Sequence, residues 1–348
     1  MSKSQPGQTP HRRAFDESAR EGSAPTVRPE AASRIHARAQ VRSRFARSCG
    51  RAAVLAVLVA AIGCDSATDP AFPVSRFAGW KLPADGSRIP APRALYSDEN
   101  DTVYALDDAG RVLVYSAQGQ VMQTWHMPDY EIGRPEGIIK LLDGRIAVAD
   151  THYDRVVFFH PDGEVESILG EHGTEPGQFV YPVAVAQDPQ GFLYVGEYGD
   201  KQRIQKFRPD GSFVTQFGEH GTEPGQFQRP SGIVWSDGTI YAVDAFNNRV
   251  QAFSDDGKFL RVIDLPDNSA HFEYPYDIRA TGDGRLYVIE NKGSRLTVLT
   301  RDGEMVGRFG RPSRGDDGFL GPWSLTVLTD GRILVADTGN HRIVELTP

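Results

Sequence analysis

The chain is predicted to be all-β, and three observations carry the prediction. Short Val/Ile/Leu/Tyr/Phe runs bounded by Gly, Pro, Asp and Asn recur throughout, while helical heptads are hard to find. Glycine and proline are abundant, 36 and 23 of 348 residues, which suits tight turns better than long helices. The third observation is repetition. Prolines that open an apolar run stand at Pro135, Pro182, Pro230, Pro275 and Pro322, spaced 47, 48, 45 and 47. In phase with them run the turn glycines Gly144, Gly191, Gly238, Gly284 and Gly331 and the acids Asp150, Glu197, Asp244, Glu290 and Asp337. Arg155, Arg203, Arg249, Arg295 and Arg342 follow in step. A fixed period of this length dictates the architecture.

The N-terminal segment stands apart from the repeat. Residues 1–51 are rich in Arg, Ser, Ala and Pro and too poor in apolar residues to form a core, so they read as a disordered basic leader. The apolar run of residues 52–63 ends at Cys64. It is shorter than the ~20 residues a membrane-spanning helix needs. Arg42, Arg44, Arg47 and Arg51 precede it and small residues close it, which is the layout of a secretory signal. Ala61-Ile62-Gly63-Cys64 resembles a bacterial lipobox, with Ala61 where that motif prefers leucine. The resemblance implies lipidation of Cys64, which becomes the first residue of a membrane-anchored protein facing the periplasm or exterior. A plain signal peptide or short anchor is the alternative. The leader is long for such a signal, and translation from a later start near Val41 would account for it. Asp65, next to the cysteine, signals inner-membrane retention in some bacteria, a rule that varies between groups. Residues 65–74 read as a tether.

Cysteine and charge narrow the function classes. The two cysteines, Cys49 and Cys64, both precede the repeat, so it has no disulfide and no Cys metal site. Residues 1–63 hold 11 Lys and Arg against 4 Asp and Glu, leaving 27 against 42 and a net charge of about −15 for the rest. An acidic domain lacks the basic face that nucleic acid requires.

The copies follow in order from residue 75. In the first, Thr102–Asp107 matches Thr239–Asp244 and Arg111–Tyr115 matches Arg249–Phe253, with a second turn at Ala117-Gln118-Gly119. Five more copies start at the aligned prolines, and their second turns recur as Pro161–Gly163, Pro209–Gly211, Asp255–Gly257 and Arg301–Gly303. Each copy reads as four short strands, for instance Gly232–Trp235, Ile240–Val243, Arg249–Phe253 and Phe259–Ile263. Four strands at this period make a propeller blade. The sixth copy stops after its third strand, Arg342–Leu346. Ser75–Lys81, which resembles Phe213–Gly218, is predicted to supply the missing fourth strand and close the ring, removing exposed edges.

Gly-x-x-Gly-x-x-x-Gly-Gln-Phe-x-x-Pro, then Asp-Gly-x-hydrophobic-Tyr-Val-x-Asp, then Asn-x-Arg-Val, resembles the NHL repeat over residues 75–348. Gly170–Phe179 and Gly218–Phe227 carry near-identical copies of its loop. The resemblance implies a six-bladed propeller of NHL type, a scaffold that hosts many unrelated functions.

Several residues are candidates for chemistry. The pairs Asp150/Arg155, Asp244/Arg249, Glu290/Arg295 and Asp337/Arg342 span the turn between second and third strands. A ring of acids could hold cations, but occurrence in every blade favours ties within or between blades through charge-assisted hydrogen bonds. His152, His172, His220 and His341 fall on loops of one rim, where three histidines with an acid could hold a metal. Duplication of His172 and His220 in like sequence favours a bracing role. Peptidyl-hydroxyglycine amidating lyases, similar in their six-bladed NHL design, place zinc-binding histidines just after the blade proline. Here those positions are Glu136, Val183, Ser231, Tyr276 and Trp323, so the lyase's metal chemistry loses its ligands. The same positions, with Asp277, line the entrance of the central channel, where aromatics beside carboxylates suit a polar or cationic ligand. Tyr276 and Trp323 are equally suited to plugging the funnel. No Gly-x-Ser-x-Gly elbow, His-Glu-x-x-His pair or phosphate loop occurs.

The sequence therefore points to an extracytoplasmic monomeric propeller that binds a protein, peptide or glycan on a rim comprising Glu136, Ser231, Tyr276, Asp277, Trp323, His152 and His341. No cofactor is implied. A metal-dependent enzyme of the amidating-lyase or lactonase type, and a structural component of the envelope, are the alternatives.

Overall fold

Glycine punctuates the repeat where the backbone turns left-handed: Gly144, Gly191, Gly238, Gly284 and Gly331 take φ of 92°, 87°, 74°, 87° and 89° at the turns between first and second strands. A computed structural model describes residues 69–263, 265 and 271–348. The basic leader, the apolar run and Cys64 lie outside the described residues. Among the described residues, 24 strands form six antiparallel sheets of four.

The first strand, β1 (Arg76–Trp80), joins the last blade. Blade one is β2 (Pro92–Ser97), β3 (Val103–Asp107), β4 (Arg111–Tyr115) and β5 (Val121–His126). Blade two is β6 (Gly137–Lys140), β7 (Ile146–Asp150), β8 (Arg155–Phe159) and β9 (Val165–Leu169). Blade three is β10 (Pro182–Gln187), β11 (Leu193–Glu197), β12 (Arg203–Phe207) and β13 (Phe213–Phe217). Blade four is β14 (Pro230–Ser236), β15 (Thr239–Asp244), β16 (Arg249–Ser254) and β17 (Phe259–Ile263). Blade five is β18 (Pro275–Ala280), β19 (Arg285–Glu290), β20 (Arg295–Thr300) and β21 (Met305–Phe309). Blade six is β22 (Ser324–Val327), β23 (Ile333–Asp337), β24 (Arg342–Thr347) and then β1.

The all-β six-bladed propeller expected from the repeat is the fold, and the ring closes as expected. β1 pairs antiparallel with β24 from Arg76 opposite Thr347 to Trp80 opposite Ile343. Trp80 secures the join: its ring lies 5.6 Å from Tyr115 of blade one, and its Nε1 donates to Glu345 of blade six at 2.8 Å. The last six residues read as a tether also pack. Arg308 of β21 donates its backbone N–H to the Pro70 carbonyl and its carbonyl accepts from Phe72, while the Phe72 ring is buried edge-on against Tyr287. The outer edge of β21 offers unpaired backbone groups, and an apolar ring close by is enough to hold the chain on it.

Blades pack face to face, so their middle strands are covered on both sides. Every residue of β3, β4, β7, β11, β12 and β23 is buried; all but β12, which buries Arg203, Gln205 and Lys206, are mainly apolar. The outer strands β5 and β9 are mostly exposed. Six apolar clusters result, one for each pair of neighbouring blades. Inner strands crowd at the axis. A Cβ on Gly137 would stand 2.5 Å from the Val183 carbonyl oxygen, and one on Gly232 would stand 2.8 Å from the Asp277 Cα.

The acid–arginine pairs tie each inter-blade loop down to the blade that follows it. Asp244 Oδ2 accepts from Arg249 Nε at 2.8 Å, and its Oδ1 accepts the Gln228 N–H at 2.7 Å. Arg249 donates onward to the carbonyls of Thr222, Glu223 and Gln226 in the loop. Asp337 and Arg342 repeat the arrangement with Leu320, Gly315 and Gly318. Glu290 and Arg295 do so with Glu273 and His271, and Asp150 joins Arg155, which also reaches Asp129. Two further pairs complete the set because the turn length varies: Asp107–Arg111, four apart, and Glu197–Arg203, six apart. Burial pushes the Asp244 carboxyl above its usual pKa, against the hydrogen bonds from Asn247, Gln228 and Arg249 that favour its charge.

Two outcomes follow for stability. Trp80→Ala should lower the free energy of unfolding by about 3–5 kcal/mol, measured by urea denaturation; an unchanged midpoint would mean the closing strand is dispensable. Asp244→Ala should cost about 3–5 kcal/mol by stranding Arg249, and Asp244→Asn clearly less, in the same assay.

Candidate functional site

In four of the six blades the first strand enters the axis through its proline and carries one extra residue just after it. The pairing register slips by one residue between Pro92 and Ala94, Pro182 and Ala184, Pro230 and Ile233, and Pro275 and Asp277. Such a bulge re-aims a side chain away from the regular alternation. The bulged positions bring Arg93, Val183, Ser231 and Tyr276 to the upper mouth, defined here by the loops that lead from blade to blade. Glu136 and Trp323 occupy the same position in blades two and six.

Glu136, Ser231, Tyr276, Asp277 and Trp323 line one cavity on the axis together with Val183 and Arg279. Its volume is about 20 Å³, room for about one water. Tyr276 is buried, with its ring 4.8 Å from Trp323. These side chains therefore close the channel, and a larger ligand meets only their outer surface.

The closure is held by a charged chain. Arg229 Nη2 donates to the Tyr276 hydroxyl at 3.0 Å, which donates to Glu136 Oε2 at 2.7 Å. Arg93 Nη2 reaches Glu136 Oε1 at 3.1 Å, and its guanidinium lies 4.0 Å from the centre of the Trp323 ring. Below them Arg279 Nη1 binds Asp277 Oδ1 at 2.7 Å, and Ser324 Oγ donates to Asp277 Oδ2 at 2.5 Å. Burial, then the Glu136 charge, hold the Tyr276 pKa well above the usual tyrosine range, so its hydroxyl remains a donor. Burial opposes the charge of Arg229, and the surrounding tyrosines and Glu136 outweigh it, leaving its pKa above the ordinary arginine value. Two arginines face one carboxylate here, an excess of one positive charge. Arg93 Nε, Arg229 Nε and Ser231 Oγ are buried without a partner.

Around this floor the loops carry rings. Arg229 lies over Tyr198 at 4.2 Å, and Tyr198 stacks on Tyr181 at 5.2 Å. Phe246 lies 5.5 Å from Tyr274, which lies 5.9 Å from Tyr276. Ile89, Tyr130, Ile132, Tyr181 and Phe246 are exposed, with Phe246 at 57%. Tyr181, Arg229 and Tyr274 each precede a blade proline and take φ of 57°, 65° and 55°. Left-handed backbone is costly for such residues and is found at functional sites.

None of the four rim histidines lines the axial cavity, and His152, His172 and His341 have side-chain contacts of their own. His152 Nδ1 meets the Arg134 backbone at 3.3 Å, His341 Nδ1 the Ile89 carbonyl at 2.9 Å, and His172 Nδ1 the Asp154 carboxylate at 2.8 Å. Among the described residues no three His, Cys, Asp or Glu side chains are grouped to hold a metal ion.

Sequence reading missed the arginines. Arg93 follows Pro92, which extends the proline register back by 43 residues from Pro135 into the weak first copy. Arg229 stands one before the aligned proline, in a column that reads Ala91, Arg134, Tyr181, Arg229, Tyr274, Gly321. Arg279 is the lone charge in the column Tyr96, Ile139, Ala186, Val234, Arg279, Thr326.

Comparison with known proteins agrees with the architecture. The NHL repeat matches residues 319–346. NHL repeat-containing protein 3 of Homo sapiens is 29% identical over 107 residues, 28% of this chain and 31% of that protein, so the match spans about a third of the relative's length. A streptogramin B lyase superposes with a TM-score of 0.57 at 17% identity, covering 78% of this chain and 97% of that one. Virginiamycin B lyase from Staphylococcus aureus gives 0.55 at 14%, covering 78% and 99%. An auxiliary nutrient binding protein from Bacteroides ovatus gives 0.59 at 14%, covering 78% and 76%. At these identities the likeness is one of fold. The chain is a six-bladed β-propeller whose sixth blade matches the NHL repeat.

Proposed function

We propose that the propeller is a binding module whose upper mouth recognises a polypeptide partner. The observation that carries this reading is the pairing of exposed apolar loops with buried excess positive charge. Ile89, Ile132 and Phe246 present aliphatic and aromatic surface to solvent, which suits apolar side chains better than the hydroxyl-rich faces of a glycan. Arg93 and Arg229, set against Glu136 alone, complement an acidic group of the partner. A propeller neighbour in structure is a nutrient-binding protein and others are lyases; the scaffold serves both, so the site and not the fold carries the proposal. We further propose that the protein works outside the cytoplasm, anchored through lipid on Cys64, on the strength of the basic, apolar and lipobox-like run that ends there.

Screening the full-length protein against displayed peptides should enrich sequences joining apolar and acidic residues. Phe246→Ala, at an exposed position, should weaken the best of them by about 30-fold, the effect of a 2 kcal/mol hot spot. Enrichment of peptides indifferent to Phe246 and Ile132, or binding of glycans alone, would overturn the reading. For the anchor, the precursor expressed in bacteria with labelled palmitate should carry label in the membrane fraction, and Cys64→Ala should abolish it. An unlabelled, cleaved and released chain would instead establish a plain signal peptide.

A further inference from the structure

The first strands run from the upper mouth to a second opening, where their far ends enclose a pocket of about 300 Å³. That volume reaches the lower bound of sites that take small organic ligands, ~300 Å³. At ~30 Å³ per water it matches the bulk of about ten waters, on the order of one ring with a short side chain. Most of the wall is apolar, with Ile139, Val185, Ala186 and Ile233 buried and Leu142 exposed at the edge. Tyr96 and Trp235 add ring surface.

The charges in the wall are neutralised in pairs. Lys140 Nζ lies 2.7 Å from Asp98 Oδ2, and Arg279 Nη1 lies 2.7 Å from Asp277 Oδ1. Asp188 accepts the Gln190 and Phe192 N–H groups at 3.0 and 2.9 Å and the Tyr194 hydroxyl at 3.0 Å, with the Lys206 ammonium 3.8 Å away. The Gln187 amide is engaged at both ends, accepting the Leu142 N–H at 2.8 Å and donating to the Gly191 carbonyl at 3.2 Å. Trp235 offers its ring alone, because its Nε1 is buried away from the open space. An ion entering here gives up its hydration and finds no unpaired counter-charge to replace it. Tyr96 is the exception among these polar side chains: its hydroxyl makes no hydrogen bond to a described residue. Burial holds its pKa above the ordinary tyrosine value, against the pull of Arg279, so the group stays a neutral donor and acceptor.

We propose that this pocket binds a small uncharged molecule, mainly apolar and carrying one hydroxyl or carbonyl oxygen. Its apolar body lies against Ile139, Val185, Ile233 and the Trp235 ring, and its oxygen meets the Tyr96 hydroxyl. The paired charges of the wall set the neutrality, and the single hydroxyl left without a partner sets the single polar atom. A phenolic hydroxyl both donates and accepts, so it pairs with an alcohol or a carbonyl alike. The site is distinct from the upper mouth, so either proposal can fail without the other.

The test is a ligand-observed NMR titration of the full-length protein with three probes of one shape and different charge: 2-phenylethanol, phenylacetate and 2-phenylethylammonium. The alcohol should bind saturably and both ions about tenfold more weakly. Tyr96→Phe keeps the ring and removes the hydroxyl, and should weaken the alcohol about fivefold. Toluene, which has no oxygen, should bind the wild type and Tyr96→Phe alike. Ala186→Leu narrows the pocket from its wall and should abolish binding of the alcohol, with Tm checked to confirm folding. Absence of saturable binding by the alcohol, an ion bound as tightly as the alcohol, indifference of the alcohol to Tyr96→Phe, or undiminished binding by folded Ala186→Leu would overturn the proposal.

Discussion

Burial of blade faces against each other is the constraint on which everything else in this propeller depends. A four-stranded blade cannot bury both faces of its middle strands alone, so each apolar cluster belongs to two blades. A row of such blades would end in two exposed faces. Pairing β1 with β24 turns the row into a ring, and Trp80 then bridges blades six and one through Tyr115 and Glu345. Closure thus couples the two ends of the described chain, and every blade acquires two neighbours.

The ring imposes a cost at its axis, where six first strands converge. Contacts there are so close that Gly137 and Gly232 leave no room for a Cβ. Side chains that enter the axis must share a small space, and the molecule fills it with a hydrogen-bonded chain of Arg229, Tyr276, Glu136 and Arg93. A charge buried that far from water persists only when paired. The axial closure therefore divides the propeller into two mouths that do not communicate as an open pore, with Arg279 lining the small cavity above and the larger pocket below.

The acid–arginine pairs do a different task. The loop that links one blade to the next has backbone groups that no strand satisfies. In blade four the Asp244 carboxylate accepts one loop N–H while Arg249 donates to three loop carbonyls. The rigid guanidinium fork suits this multiple donation. Loops fixed in this way can hold Tyr181, Arg229 and Tyr274 in left-handed backbone conformations, because the surrounding structure determines their place.

Period, turn glycines and the truncated sixth copy were enough to read the architecture and its closure from residues alone. Local chemistry repeated six times leaves few alternatives, and an unpaired third strand calls for a partner that only the segment near Trp80 could supply. The five positions around the blade prolines were legible for the same reason, since repetition predicts which side of each strand faces the axis. The tertiary structure decided what the repeat cannot encode. Arg93 hid in a copy whose proline, Pro92, lay off the regular spacing, and Arg229 lay one residue outside the aligned strand. Whether an axial position forms an opening or a plug depends on how six side chains of different size meet, which is a property of the ring. The pocket bounded by Trp235, Ile139 and Arg279 exists only because residues from blades far apart in sequence converge there. Repeat identity determines the scaffold, and the differences between repeats, seen together in space, determine the sites.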